Sequence, residues 1–194
     1  AGRFISNFGN GMSPVALAFG ILHLKNGSPT ILGWVLGSAT LSMLVVAPFG
    51  GVIADKFGRV RMAGIADTWG SLGLFVQAAY FIHGSVPIWL MFVVNINFGF
   101  MWGIFWPANS GITPALVPEE HLQKANAFSN LFTNTSMIMG AATGGFLVAQ
   151  FGAGWALLID ASTFLISGIL VLSFSHKVHA RSDSEEPMLD DLKD

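Results

Sequence analysis

The chain has 194 residues, 53% of them hydrophobic and only 10% charged, with a formal net charge of −2. A water-soluble domain carries about a quarter charged residues, so this composition excludes an ordinary soluble protein and points to lipid as the main solvent. The absence of cysteine excludes disulfides, thiol catalysis and Cys-ligated metals, while 23 glycines and six tryptophans suit close helix packing and anchoring at a membrane interface.

The opening residues "AGRFISN" lack an initiator Met and already read as helix, so a piece of a longer protein is expected. Apolar runs near the roughly 20 residues that span a bilayer then predict an all-α membrane protein, a bundle of six transmembrane helices. The first span runs over about 3–24 and stops at the turn "KNGSPT". The second covers 31–54, the third 62–82 up to "HGSVP", and the fourth 87–116 up to "VPEE". The fifth covers 119–151, where Pro118 and two acids suit a helix start, and the sixth 155–174. Residues 176–194, "HKVHARSDSEEPMLDDLKD", read as a charged linker.

Charge placement predicts the orientation. Arg3, Lys56, Arg59, Arg61, Lys124, Lys177, Arg181 and Lys193 fall on one side of such a bundle, and Lys25 falls on the other. The positive-inside rule then makes both ends cytoplasmic, together with the turns between spans 2 and 3 and between spans 4 and 5.

The segment "GGVIADKFGRVR" (50–61) gathers Asp55, Lys56, Arg59 and Arg61 in a chain that otherwise avoids charge. Two readings stand. The cations alone make a topology anchor. Asp55 and the glycines Gly50, Gly51 and Gly58 go unexplained by that, and they suit a tight loop whose carboxylate latches one conformation and releases another.

The segment resembles the loop 2–3 signature of the major facilitator superfamily, G-x-L-A-D-R-x-G-R-K-x-x-L. Gly51, Ile53, Ala54, Asp55, Lys56, Gly58 and Arg59 match or substitute conservatively, and Val60 departs where a base is expected. "LKNGSPTILGWV", "WPANSGITPALVPEEHLQKANAFSN" and "LLIDASTFLISGILVL" resemble segments of the macrolide-efflux and enterobactin-exporter branch. The resemblance spans the whole chain. It implies the N-terminal six-helix half of a twelve-helix bacterial inner-membrane transporter, ending in the central loop. It also implies a loop 2–3 latch that stabilises the outward-facing state, and a central cavity lined by helices 1 and 4.

Candidate cavity residues on those helices are Asn7, Asn10, Asn95, Trp102 and Trp106. Amides beside tryptophan suit a sizeable amphipathic ligand, and the same amides also suit hydrogen bonds between helices. The fifth span carries Asn126, Asn130, Thr133, Met137, Gly140 and Gly144 at steps of four and three, a seam for close packing. Its "GAATGG" resembles the antiporter motif G-P-x-x-G-G at Gly140, Gly144 and Gly145, with Ala141 in place of the proline. Asp67 and Asp160 lie within spans, where a carboxylate needs a partner, water or a proton. Either is a candidate for proton coupling, or both are hydrogen-bond partners between packed helices. The family's helix 4 pattern R-x-x-Q-G-x-G is not met, since Asn95 of "NINFGF" stands in place of the arginine.

No G-x-S-x-G and no H-E-x-x-H occurs, so an enzyme is not expected. His23, His83, His121, His176 and His179 form no ligand set, and no metal, cofactor or nucleic-acid partner is expected. The function expected is proton-driven export of an amphipathic small molecule, a drug, macrolide or siderophore, by alternating access. Uptake, a membrane scaffold, and a half-size transporter working as a homodimer are the alternatives.

Overall fold

A computed structural model describes residues 2–110 and 117–185. The described residues form six long helices: α1 (Gly2–Leu22), α2 (Pro29–Phe57), α3 (Arg59–Ile82), α4 (Ile88–Ser110), α5 (Leu122–Phe151) and α6 (Ala153–Glu185). A short 3₁₀ turn, Glu119–His121, leads into α5. The expected end of the fourth span at 111–116 and the tail from 186, with Lys193, lie outside the described residues. So do the side chains of Arg3, His176, Lys177, His179 and Arg181.

Local sequence sets several ends. Ser28 caps α2, its hydroxyl accepting from the Ile31 amide at 3.2 Å, and Pro29 takes the first helical position, where a missing N–H costs nothing. Three junctions differ from expectation. The segment expected as a loop at Asp55–Arg61 is helix on both sides, with Gly58 alone between α2 and α3. The fifth helix starts at Leu122 after the 3₁₀ turn. The sixth continues to Glu185, past the expected end at 174, because an apolar run marks the limit of lipid and not the limit of a helix.

Among the described residues, four helices are long and apolar enough to cross a membrane: Pro29–Phe57, Ile88–Pro107, Leu122–Phe151 and Ala153–Ser173. α1 and α3 are also long enough, at 21 and 24 residues, or about 32 and 36 Å. Their apolar content is diluted by polar side chains that the bundle shelters: Ser6 and Ser13 in α1, Asp67, Ser71 and Gln77 in α3, all buried.

Close approaches fix the directions. Asn7 meets Thr133 and Gly11 seats on the Met137 backbone, so α1 and α5 run parallel. Gly99 seats on Ala39 and Gly103 beside Met43 and Val46, so α2 and α4 do too. Gly64 faces Gly168 while Gly154 faces Ala78 and Ile82, making α3 and α6 antiparallel. Chain direction therefore alternates, and Lys56, Arg59, Arg61 and Lys124 gather at one end of the bundle with Lys25 at the other.

The main packing pairs are α1 with α5 and α6, α4 with α2 and α3, and α3 with α6. That pattern is unchanged when α1 is exchanged with α4, α2 with α5 and α3 with α6. It is an internal twofold repeat of three helices. The repeat reaches single residues: Gly11 of α1 on Met137 of α5 corresponds to Gly99 of α4 on Ala39 of α2. It also reaches the turns. Phe57–Gly58 joins α2 to α3 and Phe151–Gly152 joins α5 to α6, each through one glycine with positive φ, +91° and +87°.

Lipid gives apolar helices no hydrophobic reason to associate, so small residues that admit close backbone contact hold them together. A core of Met12, Ala16, Ile21, Val35, Ala78, Met91 and Leu157 fills the middle. Leu41, Leu44, Val45 and Phe49 on α2, with Phe128, Leu131, Ile138 and Phe146 on α5, face outward.

Candidate functional site

A cavity of about 290 Å³ opens between α1, α2 and α4, with Leu74 of α3 and Met137 of α5 completing the wall. Asn10 and Ser13 project from α1, Thr40 from α2 and Asn95 from α4 into a lining of Leu17, Leu36, Met43, Phe98 and Trp102. Pro14, inside α1, also lines it. Asn95 is buried, and its Nδ2 donates to the Met91 carbonyl at 2.8 Å within its own helix. Trp102 heads an aromatic ladder. Its ring centroid lies 6.1 Å from Phe98, 5.8 Å from Phe105 and 5.8 Å from Trp106, the last pair stacked at 25°.

Of the five residues expected at a cavity, Asn10, Asn95 and Trp102 line this one, and two do not. Asn7 turns away, its Nδ2 donating to the Thr133 hydroxyl of α5 at 3.2 Å. Trp106 is exposed beyond the cavity, stacked on Trp102. The internal repeat explains Asn7: it occupies the place in α1 that Asn95 occupies in α4. The α5 partner opposite Asn7 is Thr133, which accepts a hydrogen bond. The position of α2 that corresponds to Thr133 in the repeat is Val35, which cannot.

At the α2–α3 turn, Arg59 Nε donates to Asp55 Oδ1 at 2.7 Å, one helical turn apart across Gly58, with both side chains largely exposed. Lys56 and Arg61 are exposed as well, and Lys56 Nζ sits 5.5 Å from the centroid of the Phe57 ring. An exposed pair of this kind stabilises a fold by at most about 1 kcal/mol. Gly51 has ordinary room, with a Cβ there reaching only the Pro107 ring at 3.8 Å. Its neighbour Gly50 is the tight one, since a Cβ would collide with the Gly103 carbonyl oxygen of α4.

The α5 seam divides in two. Gly140 and Gly144 are buried against Phe8, Gly11 and Met12 of α1, and Gly140 has no space for a Cβ beside the Phe8 carbonyl. At Gly145 a Cβ would only graze Val15 at 4.0 Å. Asn126 and Asn130, expected in the same seam, are exposed; they precede Phe132, whose ring meets Phe4 of α1.

The two carboxylates within spans differ. Asp67 of α3 is buried and accepts from the Ser167 hydroxyl of α6 at 2.9 Å. Asp160 of α6 is fully buried and packed on Gly9 of α1. Neither of its oxygens has a hydrogen-bond partner among the described residues. The Ser13 hydroxyl lies beside it but outside bonding geometry.

The sequence matches the model of the Major Facilitator Superfamily over residues 1–190. The chain belongs to that superfamily. Major facilitator proteins are transporters that handle small molecules in a membrane, and several relatives are similar to this chain. Macrolide efflux protein A of Streptococcus pyogenes is 26% identical over 171 residues, 88% of this chain and 42% of that protein. Enterobactin exporter EntS of Shigella boydii is 27% identical over 168 residues, 84% and 39%. The uncharacterized MFS-type transporter YkuC of Bacillus subtilis is 28% identical over 169 residues, 87% and 39%. The chain thus spans about two fifths of the length of the curated relatives it matches.

Within this major facilitator chain the sequence reading missed the second glycine turn at Gly152, for which the repeated Phe–Gly pair was the available signal. It also missed the hydrogen bond from Trp69 Nε1 of α3 to Asn97 Oδ1 of α4, 3.1 Å, and the contact of Ser13 with both the cavity and Asp160. Neither contact leaves a mark in the sequence, since both join residues brought together only by packing.

Proposed function

We propose that this chain is the N-terminal six-span half of a secondary transporter that exports an amphipathic small molecule across the inner membrane of a bacterium, driven by protons. The observation that carries this reading is the cavity. Amides from two helices related by the internal repeat, Asn10 of α1 and Asn95 of α4, meet a wall of Leu17, Phe98 and Trp102. That pairing of a few hydrogen-bonding groups with a broad apolar wall suits a ligand with a large apolar body and scattered polar groups. The names of two relatives, a macrolide efflux protein and an enterobactin exporter, support export and a substrate of that kind.

One half presents only part of a cavity wall, and in transporters built from repeats the substrate sits between the halves. A second six-helix half is therefore the chain's principal partner. The gathering of Lys56, Arg59, Arg61 and Lys124 at one end supports a cytoplasmic assignment for that end. The Asp55–Arg59 pair then lies on the cytoplasmic face, where it acts as a latch that favours the outward-facing state.

The test is uphill flux. Full-length transporter purified into liposomes should accumulate a labelled macrolide when a proton gradient is imposed, and Asn10→Ala with Asn95→Ala should raise the half-saturating concentration at least about fivefold. Flux by the double variant indistinguishable from wild type would remove the cavity from the account. Robust proton-dependent flux by residues 1–194 alone would favour the homodimeric half-size transporter. Labelling from outside intact cells of a cysteine placed at Val60 would reverse the orientation.

A further inference from the structure

The two carboxylates inside the bundle have different surroundings, and the difference assigns them different work. Asp67 has a hydroxyl partner on the neighbouring helix, Ser167, at 2.9 Å. Asp160 has full burial and no hydrogen-bond partner for either oxygen among the described residues. A charged carboxylate in that position would be stripped of water with nothing in exchange, the costliest state a side chain can occupy.

Among the described residues its surroundings offer no counter-charge. From α1 it faces Gly9 and Ser13. On α6 itself Thr163 is nearest, and the Thr163 hydroxyl donates to the Asp160 backbone carbonyl at 2.7 Å instead of to the carboxylate. The carboxylate that α3 holds within the bundle is Asp67, which is bonded to Ser167, seven residues beyond Asp160 along α6. The described cations, Lys25, Lys56, Arg59, Arg61 and Lys124, stand at the ends of helices or in the turns between them.

Access comes from the other side. Ser13 is buried, lines the cavity and lies beside Asp160. One side chain therefore touches both the cavity and the carboxylate.

We propose that Asp160 carries the coupling proton of this transporter and that Ser13 is the residue through which the proton passes between the cavity and Asp160. The proposal rests on the transport reading above and names the site at which coupling occurs. In the transfer, Ser13 gives its hydroxyl proton to an Asp160 oxygen and takes one from a hydronium ion in the cavity, which is left as water. One O–H bond forms on the carboxylate, the serine hydroxyl is restored, and one proton has entered the α1–α6 interface with no change of oxidation state. The neutral acid tolerates the dry contact with Gly9. The anion requires water or a donor, so losing the proton works against the close seat of α1 on α6. Because α1 also carries Asn10 into the cavity, proton occupancy and cavity shape become two readouts of one interface.

Gly9 belongs to the same device. A Cβ there would collide with both Thr163 Oγ1 and Asp160 Oδ1, so the carboxylate is seated where only glycine leaves room.

The experiment has two arms, both on the full-length transporter. In the first, infrared spectra of the purified protein at neutral pH should contain a protonated carboxyl C=O band that Asp160→Asn removes and Asp67→Asn leaves. A band that survives Asp160→Asn and disappears in Asp67→Asn would overturn the assignment without any reference to transport. In the second, liposomes loaded with a labelled macrolide separate proton-driven accumulation from counterflow, the exchange of labelled for unlabelled substrate with no net proton movement. Asp160→Asn should lower proton-driven accumulation at least about tenfold while counterflow stays within about twofold. Retained counterflow also shows that the variant is folded.

Ser13→Ala should slow proton-driven accumulation and move its pH profile, and Ser13→Thr should restore both. Full proton-driven accumulation by Asp160→Asn would overturn the proposal while leaving proton-driven export intact. Wild-type flux that ignores the proton gradient would overturn proton coupling itself, and the infrared arm would still report where a proton resides.

Discussion

Two turns in this molecule share a backbone and differ in charge. Phe57–Gly58 between α2 and α3, and Phe151–Gly152 between α5 and α6, each reverse the chain through one glycine, at φ +91° and +87°. They occupy corresponding places in the internal repeat, at opposite ends of the bundle. Around Gly58 stand Asp55, Lys56, Arg59 and Arg61; around Gly152 stand Ala149, Gln150, Ala153 and Gly154. The uncharged turn forms as tightly as the charged one, so the Asp55–Arg59 pair is not what makes the chain turn. That leaves the charges free for orientation and for the proposed latch, and it turns the two readings of the charged segment into separate experiments.

The largest expected effect falls on what the turns share. At φ near +90° with ψ of 119° or 166°, the backbone lies in or near a region nearly closed to side chains, at a cost of roughly 1–3 kcal/mol for any other residue. Gly58→Val and Gly152→Val should each lower thermal stability of the purified protein by that order, and by similar amounts. A large loss at one site with none at the other would break the equivalence of the turns.

Next come the corresponding helix contacts. Gly11→Ala and Gly99→Ala each drive a Cβ into a carbonyl oxygen, of Met137 and Ala39 respectively. Overpacking against backbone that cannot rotate aside costs about 1–3 kcal/mol. Both variants should lose stability together, while Gly37→Ala, with nothing within 4 Å, should lose none. Melting curves in detergent measure all three.

Much of this was legible in the sequence, and the legible part has a common character. Apolar runs located every helix, because lipid imposes length and composition directly on the chain. Their ends were less well placed: α6 runs past its apolar stretch to Glu185, and α5 begins after a turn that Pro118 and the two acids concealed. Asn10, Asn95 and Trp102, expected at a cavity because the family resemblance puts helices 1 and 4 there, do line one. Asn7 has the same type and lies on the same helix, yet it is drawn off by Thr133, a partner 126 residues away that no local pattern reveals. Asp160 and Asp67 look alike in sequence. They part only when packing supplies one with Ser167 and leaves the other alone.

The smaller effects sharpen the difference between the turns. Asp55→Asn removes an exposed pair, so stability should change by no more than about 1 kcal/mol, while export falls severalfold because a contact that favours one state is gone. Ala149→Asp, which places a carboxylate at the corresponding position of the uncharged turn, should change neither stability nor flux measurably. If Ala149→Asp impaired export as much as Asp55→Asn did, the charge at either turn would be acting through the turn itself.

The most direct test of a latched, alternating-access transporter asks from which side its cavity is reached. A single cysteine at Asn95, in a cysteine-free full-length transporter, can be labelled by a membrane-impermeant thiol reagent from either face of the membrane. The account predicts preferential labelling from outside with Asp55 in place, and a shift toward labelling from the cytoplasmic side in Asp55→Asn. Identical labelling in the two proteins, from either side, would contradict it.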